Sequence, residues 1–308
     1  MMGMEFLTLS LSPILIGICA AVACALPGNF LLLRRQALIS DAISHVALPG
    51  IVVAFLVTGL ATAWPMMLGA AAAALVAVAL IEVIRRLGRI EPGAAMGVVF
   101  TAMFAGGVLL LEQSDTSMVH LDVEHALYGN LESLIWLDGY GWPALWDREA
   151  LASIPPELPR MALAMLLVLI FTLLLWRPLK ITTFDEGFAR TLGMRTGLLG
   201  LALVGVAAMA AVAAFDAVGS IIVIAMFICP PAAARMMTNR LEWQVGWSAV
   251  FAALSAVFGY VLAGYAPIWL DFDYTVSAAG MVAAVSGVIL FLAAMAGPCR
   301  KRVGAVSQ

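Results

Sequence analysis

Apolar residues in this chain do not alternate with polar ones; they come in long blocks separated by short polar stretches. About nine blocks reach the roughly 20 residues that an α-helix needs to cross a bilayer. They run over 11–33, 42–61, 64–85, 94–112, 160–177, 197–215, 218–236, 245–264 and 275–297. The second block is the least regular, because Asp41 and His45 stand at its start and Pro49-Gly50 interrupts it. The pattern predicts an all-α integral membrane protein. It reads as a polytopic bundle of about nine transmembrane helices forming a single transmembrane domain over 1–308.

The basic residues orient this bundle. Arg34 and Arg35 follow the first block; Arg85, Arg86 and Arg89 follow the third. Arg177, Lys180, Arg190 and Arg195 lie between the fifth and sixth, Arg235 and Arg240 follow the seventh, and Arg300, Lys301 and Arg302 follow the last. The alternate loops instead carry Asp115, Asp122, Asp138, Asp216, Asp271 and Asp273. Positive residues favour the cytoplasmic side. The expected orientation is an N-terminus outside and a C-terminus in the cytoplasm, in an inner (plasma) membrane. Residues 1–10 hold Glu5 and no Lys or Arg, and the run behind them reaches Leu33. That is too long for the core of a signal peptide, so a retained first span is expected.

Composition supports the same class. Of 308 residues, 64% are hydrophobic and 11% charged, against about 45–50% and 25% in soluble domains. Mean hydropathy is +1.05. The net charge of −3 provides no basic surface for a polyanion, so no nucleic-acid partner is expected. Cys19, Cys24, Cys229 and Cys299 show no CxxC spacing and read as small apolar packing residues. The chain contains no Gly-Lys pair, hence no GxxxxGK[ST] phosphate loop, and neither HExxH nor GxSxG. It is not expected to be an enzyme; any energy it uses comes from a partner or an ion gradient.

Two loops are long. Segment 113–159 is acidic and aromatic, with Trp136, Trp142 and Trp146, and is expected as an extracytoplasmic loop lying along the outer surface in short helices. Segment 178–196, containing KITTFDEGFARTLGMRT, falls on the cytoplasmic side. Phe184, Phe188 and Leu192 at i, i+4 and i+8 form an apolar stripe on a short helix, either resting on lipid or docking a cytoplasmic partner.

Candidate chemistry concentrates in QALISDAISHVALPG. Asp41 and His45 stand at i and i+4, on one helix face. A carboxylate with an imidazole suits a divalent transition metal. Two ligands are too few for a structural site, but a transported ion must also leave. Two other uses remain open on spacing alone. Asp41 pairing with Arg34 or Arg35 while His45 satisfies a carbonyl is one; a proton relay through both is the other. A second cluster, His120, Asp122, Glu124 and His125 in VHLDVEHALYGNLE, is either a solvated acidic loop or a place for contact with a metal-delivering partner or transient capture of the ion.

Four stretches carry a family resemblance: LLLRRQALISDAISHVALPGIVVAF, EPGAAMGVVFTAMFAGGVLLL, FDEGFARTLGM and VGSIIVIAMFICPPAAARMMT. In that order, over roughly 11–297, the chain resembles the membrane permease subunits of ATP-binding-cassette importers for manganese, zinc and iron. Ser40, where glycine is common, and the Pro230-Pro231 pair are small departures. The resemblance implies a homodimeric pore, cytoplasmic ATPase subunits and an extracytoplasmic metal-binding protein. It gives Asp41 and His45 the role of metal contacts and no permanently bound cofactor, the metal being cargo. It makes Phe184, Asp185, Phe188 and Ala189 the coupling to the ATPase, and His120, Asp122, Glu124 and His125 the contact with the binding protein. Manganese or iron is favoured over zinc. The alternative is a proton-coupled secondary metal transporter.

Overall fold

The computed structural model describes residues 7–37, 39–59, 63–88, 90–113, 129, 131–139, 142–269 and 276–297. Among them every regular element is helical. A short π-helical turn, Leu7–Leu11, leads into α1 (Ser12–Leu33). It is followed by α2 (Ile39–Thr58), α3 (Ala63–Gly88) and α4 (Pro92–Gln113). Short 3-10 turns at Leu131–Ser133 and Trp142–Trp146 precede α5 (Arg148–Ala152) and α6 (Glu157–Leu174). Two short helices, α7 (Trp176–Phe184) and α8 (Glu186–Thr191), come before α9 (Thr196–Met237). The last two are α10 (Leu241–Trp269) and α11 (Ala278–Ala296).

Nine helical stretches among the described residues are long and apolar enough to cross a membrane. The chain is a multi-pass membrane protein with about the expected spans. Their outer faces are apolar: on α6, Leu163, Leu166, Leu167, Ile170, Leu173 and Leu174 are all exposed. In water such a surface would be an aggregation hazard; in lipid it is the solvated face. The run Thr196–Met237 holds two spans, because Gly219, at φ 78 and ψ 169, breaks the helix between them. Only glycine takes that backbone without strain.

Pro49-Gly50 does not interrupt the second span; α2 runs through it. Pro49 cannot donate to the His45 carbonyl, but close neighbours hold the helix. A Cβ on Gly50 would lie 2.5 Å from the Gly69 carbonyl oxygen of α3. One on Gly107 of α4 would lie 2.6 Å from Pro49 Cβ. Small residues let helix backbones meet at this range.

The chain divides into two compact units. One comprises residues 1–29, 124–170 and 214–308; the other comprises 30–123 and 171–213. The first contains a buried polar network beside Pro27 of α1. Asn29, fully buried, donates through Nδ2 to the Ala25 carbonyl at 2.8 Å and to Ser248 Oγ at 2.6 Å. Gln244 Nε2 donates to Asn29 Oδ1 at 3.2 Å. In the same unit Trp136 is only 2% exposed, packed with Ala144 and Ala150, and its indole N–H reaches the Ala150 carbonyl at 2.8 Å. Trp142 and Trp146 remain exposed. Thus one of the three loop tryptophans is a core residue of a small folded cap.

The second unit packs α2, α3 and α4 together and adds α7, α8 and the start of α9. Its α1 end is anchored by Phe30, edge-on to Trp176 at 6.1 Å.

Candidate functional site

The site residues lie in the second unit. Asp41 occupies the first turn of α2, where the helix dipole favours a carboxylate. His45 follows one turn later. Its Nε2 lies 3.6 Å from Asp41 Oδ1, with the two side chains 39% and 35% exposed. That distance is too long for a hydrogen bond. The two groups are neighbours with open coordination, not a closed pair.

The imidazole is oriented by α4. Phe100 stacks on it at 5.4 Å with an interplanar angle of 20°, and Phe104 meets it edge-on at 5.4 Å and 77°. These two phenylalanines were not singled out from the sequence. Their i, i+4 spacing within EPGAAMGVVFTAMFAGGVLLL is the available signal, but only the tertiary packing of α2 on α4 shows that they grip a histidine. The ring is thereby restrained, which lowers the ordering cost of presenting a nitrogen donor.

Among the described residues no ion pair joins Asp41 to Arg34 or Arg35. Arg34 turns to α7, donating from Nη2 to Thr182 Oγ1 at 2.8 Å and from Nε to Thr183 Oγ1 at 3.1 Å. Among the described residues no group of three or more His, Cys, Asp or Glu side chains is gathered that could hold a metal ion. The His45–Asp41 pair stands as a two-donor site.

The expected stripe at 184–192 is built from two helices rather than one. Asp185 leaves helical geometry, at φ −147 and ψ 93, and its carboxylate accepts the Phe188 N–H at 2.8 Å. An aspartate at this position caps the following helix, so α7 ends at Phe184 and α8 begins at Glu186. Phe184, Phe188 and Leu192 are nonetheless all more than half exposed, while Ala189 is buried. Asp185 therefore shapes the turn and Ala189 seats it. Glu186 and Arg190 pair at 2.6 Å along α8. The hydrogen bond from Arg190 holds the Glu186 carboxyl below its ordinary value; burial opposes it, and Thr196 and the charges of Arg190 and Arg85 add smaller help. Burial pulls Arg34 below the ordinary guanidinium value, opposed by the Glu186 charge.

His120, Asp122, Glu124 and His125 lie outside the described residues, as do Arg89, Asp115, Asp271, Asp273, Cys299 and the C-terminal Arg300, Lys301 and Arg302.

Comparison with known proteins narrows the possibilities. The family model described as "ABC 3 transport family" matches residues 7–137 and 150–297. The "Manganese transport system membrane protein MntD" of Bacillus subtilis (strain 168) is 38% identical over 278 residues, 88% of this chain and 86% of that protein. The "Zinc transport system membrane protein TroD" of Treponema pallidum (strain Nichols) is 34% identical over 290 residues, 94% of this chain and 74% of that protein. Among solved structures, a chain of "PsaBC from Streptococcus pneumoniae in complex with Fab" superposes with a TM-score of 0.72. That match covers 96% of this chain and 94% of the other at 23% identity, a likeness of fold.

Proposed function

Because the chain belongs to the ABC 3 transport family, we propose that it is the permease subunit of an ATP-binding-cassette importer for a divalent transition metal. Manganese or iron is the favoured cargo, with zinc the next. The observation that carries this reading is the restrained, half-exposed Asp41–His45 pair at the start of a membrane-spanning helix. Ionisable groups placed there are expensive and mark pathways. With metal–ligand bonds of about 2.0–2.2 Å, donors 3.6 Å apart subtend roughly 110–130° at an ion. That angle suits a loosely held ion whose remaining ligands are water or other groups on its path.

In this reading the metal is cargo and no resident cofactor is required. The chain lacks a phosphate loop, so ATP is hydrolysed by cytoplasmic subunits that dock on Phe184, Phe188 and Leu192. Asp185 and Ala189 set the shape of that surface. An extracytoplasmic metal-binding protein delivers the ion, with loop 113–135 and its His120, Asp122, Glu124 and His125 as the receiving surface. A second copy of the chain completes the pore in the inner membrane, with the N-terminus outside. Transport then follows from differential affinity: one state of the dimer accepts the ion and the ATP-driven state coordinates it more weakly.

The test is uptake of radiolabelled manganese, iron and zinc under metal limitation, in cells with and without the gene, with cold-metal competition. Loss of uptake of one metal on deletion is expected. Uptake that persists without the ATPase but collapses with the proton gradient would replace this reading with a proton-coupled carrier.

A further inference from the structure

We propose that Arg34 is the residue that transmits movement of the ATPase-docking segment to the helix bearing Asp41 and His45. This rests on the reading above and adds a positioning residue to it.

The argument begins with how α1 ends. The Gln36 N–H donates to the Leu31 carbonyl at 2.8 Å, and the Arg35 N–H to the Leu32 carbonyl at 3.0 Å. Arg35 has φ 59. These paired bonds with a left-handed residue between them are a Schellman stop. The left-handed position is normally glycine; an arginine there is strained and persists only where the surroundings fix the turn. The turn is fixed onward as well, since the Ile39 N–H that opens α2 donates to the Gln36 carbonyl at 3.0 Å. The reversal from α1 to α2 is therefore short and tied at both ends, and Asp41 follows in the first turn of α2.

Arg34 sits at the hinge of this reversal, yet its side chain is committed elsewhere. Its guanidinium spans two adjacent hydroxyls, Thr182 and Thr183, in the last turn of α7. Thr182 is itself buried and tied to the Pro178 carbonyl at 2.7 Å. Phe184, the first of the exposed stripe, follows Thr183 directly. Beside this link lies a cavity of about 950 Å³ bordered by Arg34, Glu82, Arg85, Thr182, Glu186 and Leu201 among others. On that side the connection is a polar strut at the edge of open space rather than packed core. A displacement of α7 and α8 thus reaches the start of α2 through one planar, two-toothed side chain.

Geometry also dictates which substitutions matter. Lysine keeps the charge but lacks the rigid planar fork whose Nε and Nη2 reach the two hydroxyls in fixed directions. Valine at 182 keeps the shape and loses the acceptor, while serine keeps the acceptor. The experiment uses the whole importer in liposomes, reading ATP hydrolysis and radiolabelled manganese transport from the same vesicles. R34K and T182V are expected to hydrolyse ATP near the wild-type rate while moving about tenfold fewer ions per ATP, the size expected from losing a charge-assisted hydrogen bond. T182S is expected to restore the ratio. Unchanged ions per ATP in R34K and T182V would overturn the inference. So would a parallel fall of hydrolysis and transport in T182V, which would make Thr182 merely structural. A wild-type importer that moves none of the three metals would instead defeat the parent reading.

Discussion

Two polar constellations interrupt the apolar spans, and they are finished in opposite ways. Around Asn29 the side chains are fully buried and turned on one another: Asn29 reaches Ala25 and Ser248, and Gln244 reaches Asn29. Around His45 the side chains are partly exposed, 3.6 Å apart and not hydrogen-bonded to each other, with aromatic rings rather than polar partners fixing the imidazole. The first arrangement turns most of its hydrogen-bonding groups to joining helices, with Gln244 Oε1 left as the buried exception. Among the described residues the second makes no such hydrogen bond. In a membrane, where unpaired polar groups are costly, an open pair that is nevertheless held in place is the better candidate for a ligand site.

That contrast can be broken most directly by removing the open pair. Asp41→Ala or His45→Ala should abolish metal uptake while leaving the amount of assembled complex and its melting temperature nearly unchanged. Near-normal uptake in both would erase the distinction between the two clusters. Phe188→Ala should come next, lowering metal transport severalfold while ATP hydrolysis continues without tracking it; an ATPase response identical to wild type would leave the exposed stripe as a surface that rests on lipid. The closed cluster should respond in the other currency. Asn29→Ala leaves Gln244 and Ser248 with fewer partners and should destabilise the protein by about 1–3 kcal/mol, read by thermal unfolding in detergent, with manganese affinity unchanged in the folded fraction. A fall in affinity without a fall in stability would assign Asn29 to the transport path.

The smallest effect concerns Glu186. Its folded pKa is held below the ordinary value, chiefly by the hydrogen bond from Arg190. Its contribution is therefore present above the unfolded glutamate's pKa and is lost only as pH falls through the lower folded value. Because the pair is exposed, Glu186→Gln should cost at most about 1 kcal/mol. The difference from wild type should persist at neutral pH and vanish in strong acid.

Much of this was legible in the chain itself, for physical reasons. A bilayer imposes span length directly on sequence, so the blocks marked the helices to within a few residues. The boundary between 215 and 218 coincided with the break near Gly219. Asp41 and His45 were legible because i and i+4 share a face in any helix. What stayed hidden depended on which helices meet. Nothing local in Phe100 or Phe104 says that α2 lies alongside, and Asn29 and Ser248 are 219 residues apart. Trp136 was misjudged by composition, since indole belongs at interfaces in general but here closes a small core. The exposed stripe at 184–192 looks like one helix in sequence because periodicity cannot see that Asp185 caps the next helix instead of continuing the last.

The glycine contacts beneath the site have a consequence for motion. No side chain fits between Gly50 and Gly69, or between Gly107 and Pro49, so α2 has no room to slide past α3 or α4. A displacement of α2 that keeps these contacts would take α3 and α4 with it. The three helices are thereby keyed together, and a methyl group at position 50, 69 or 107 would force them apart.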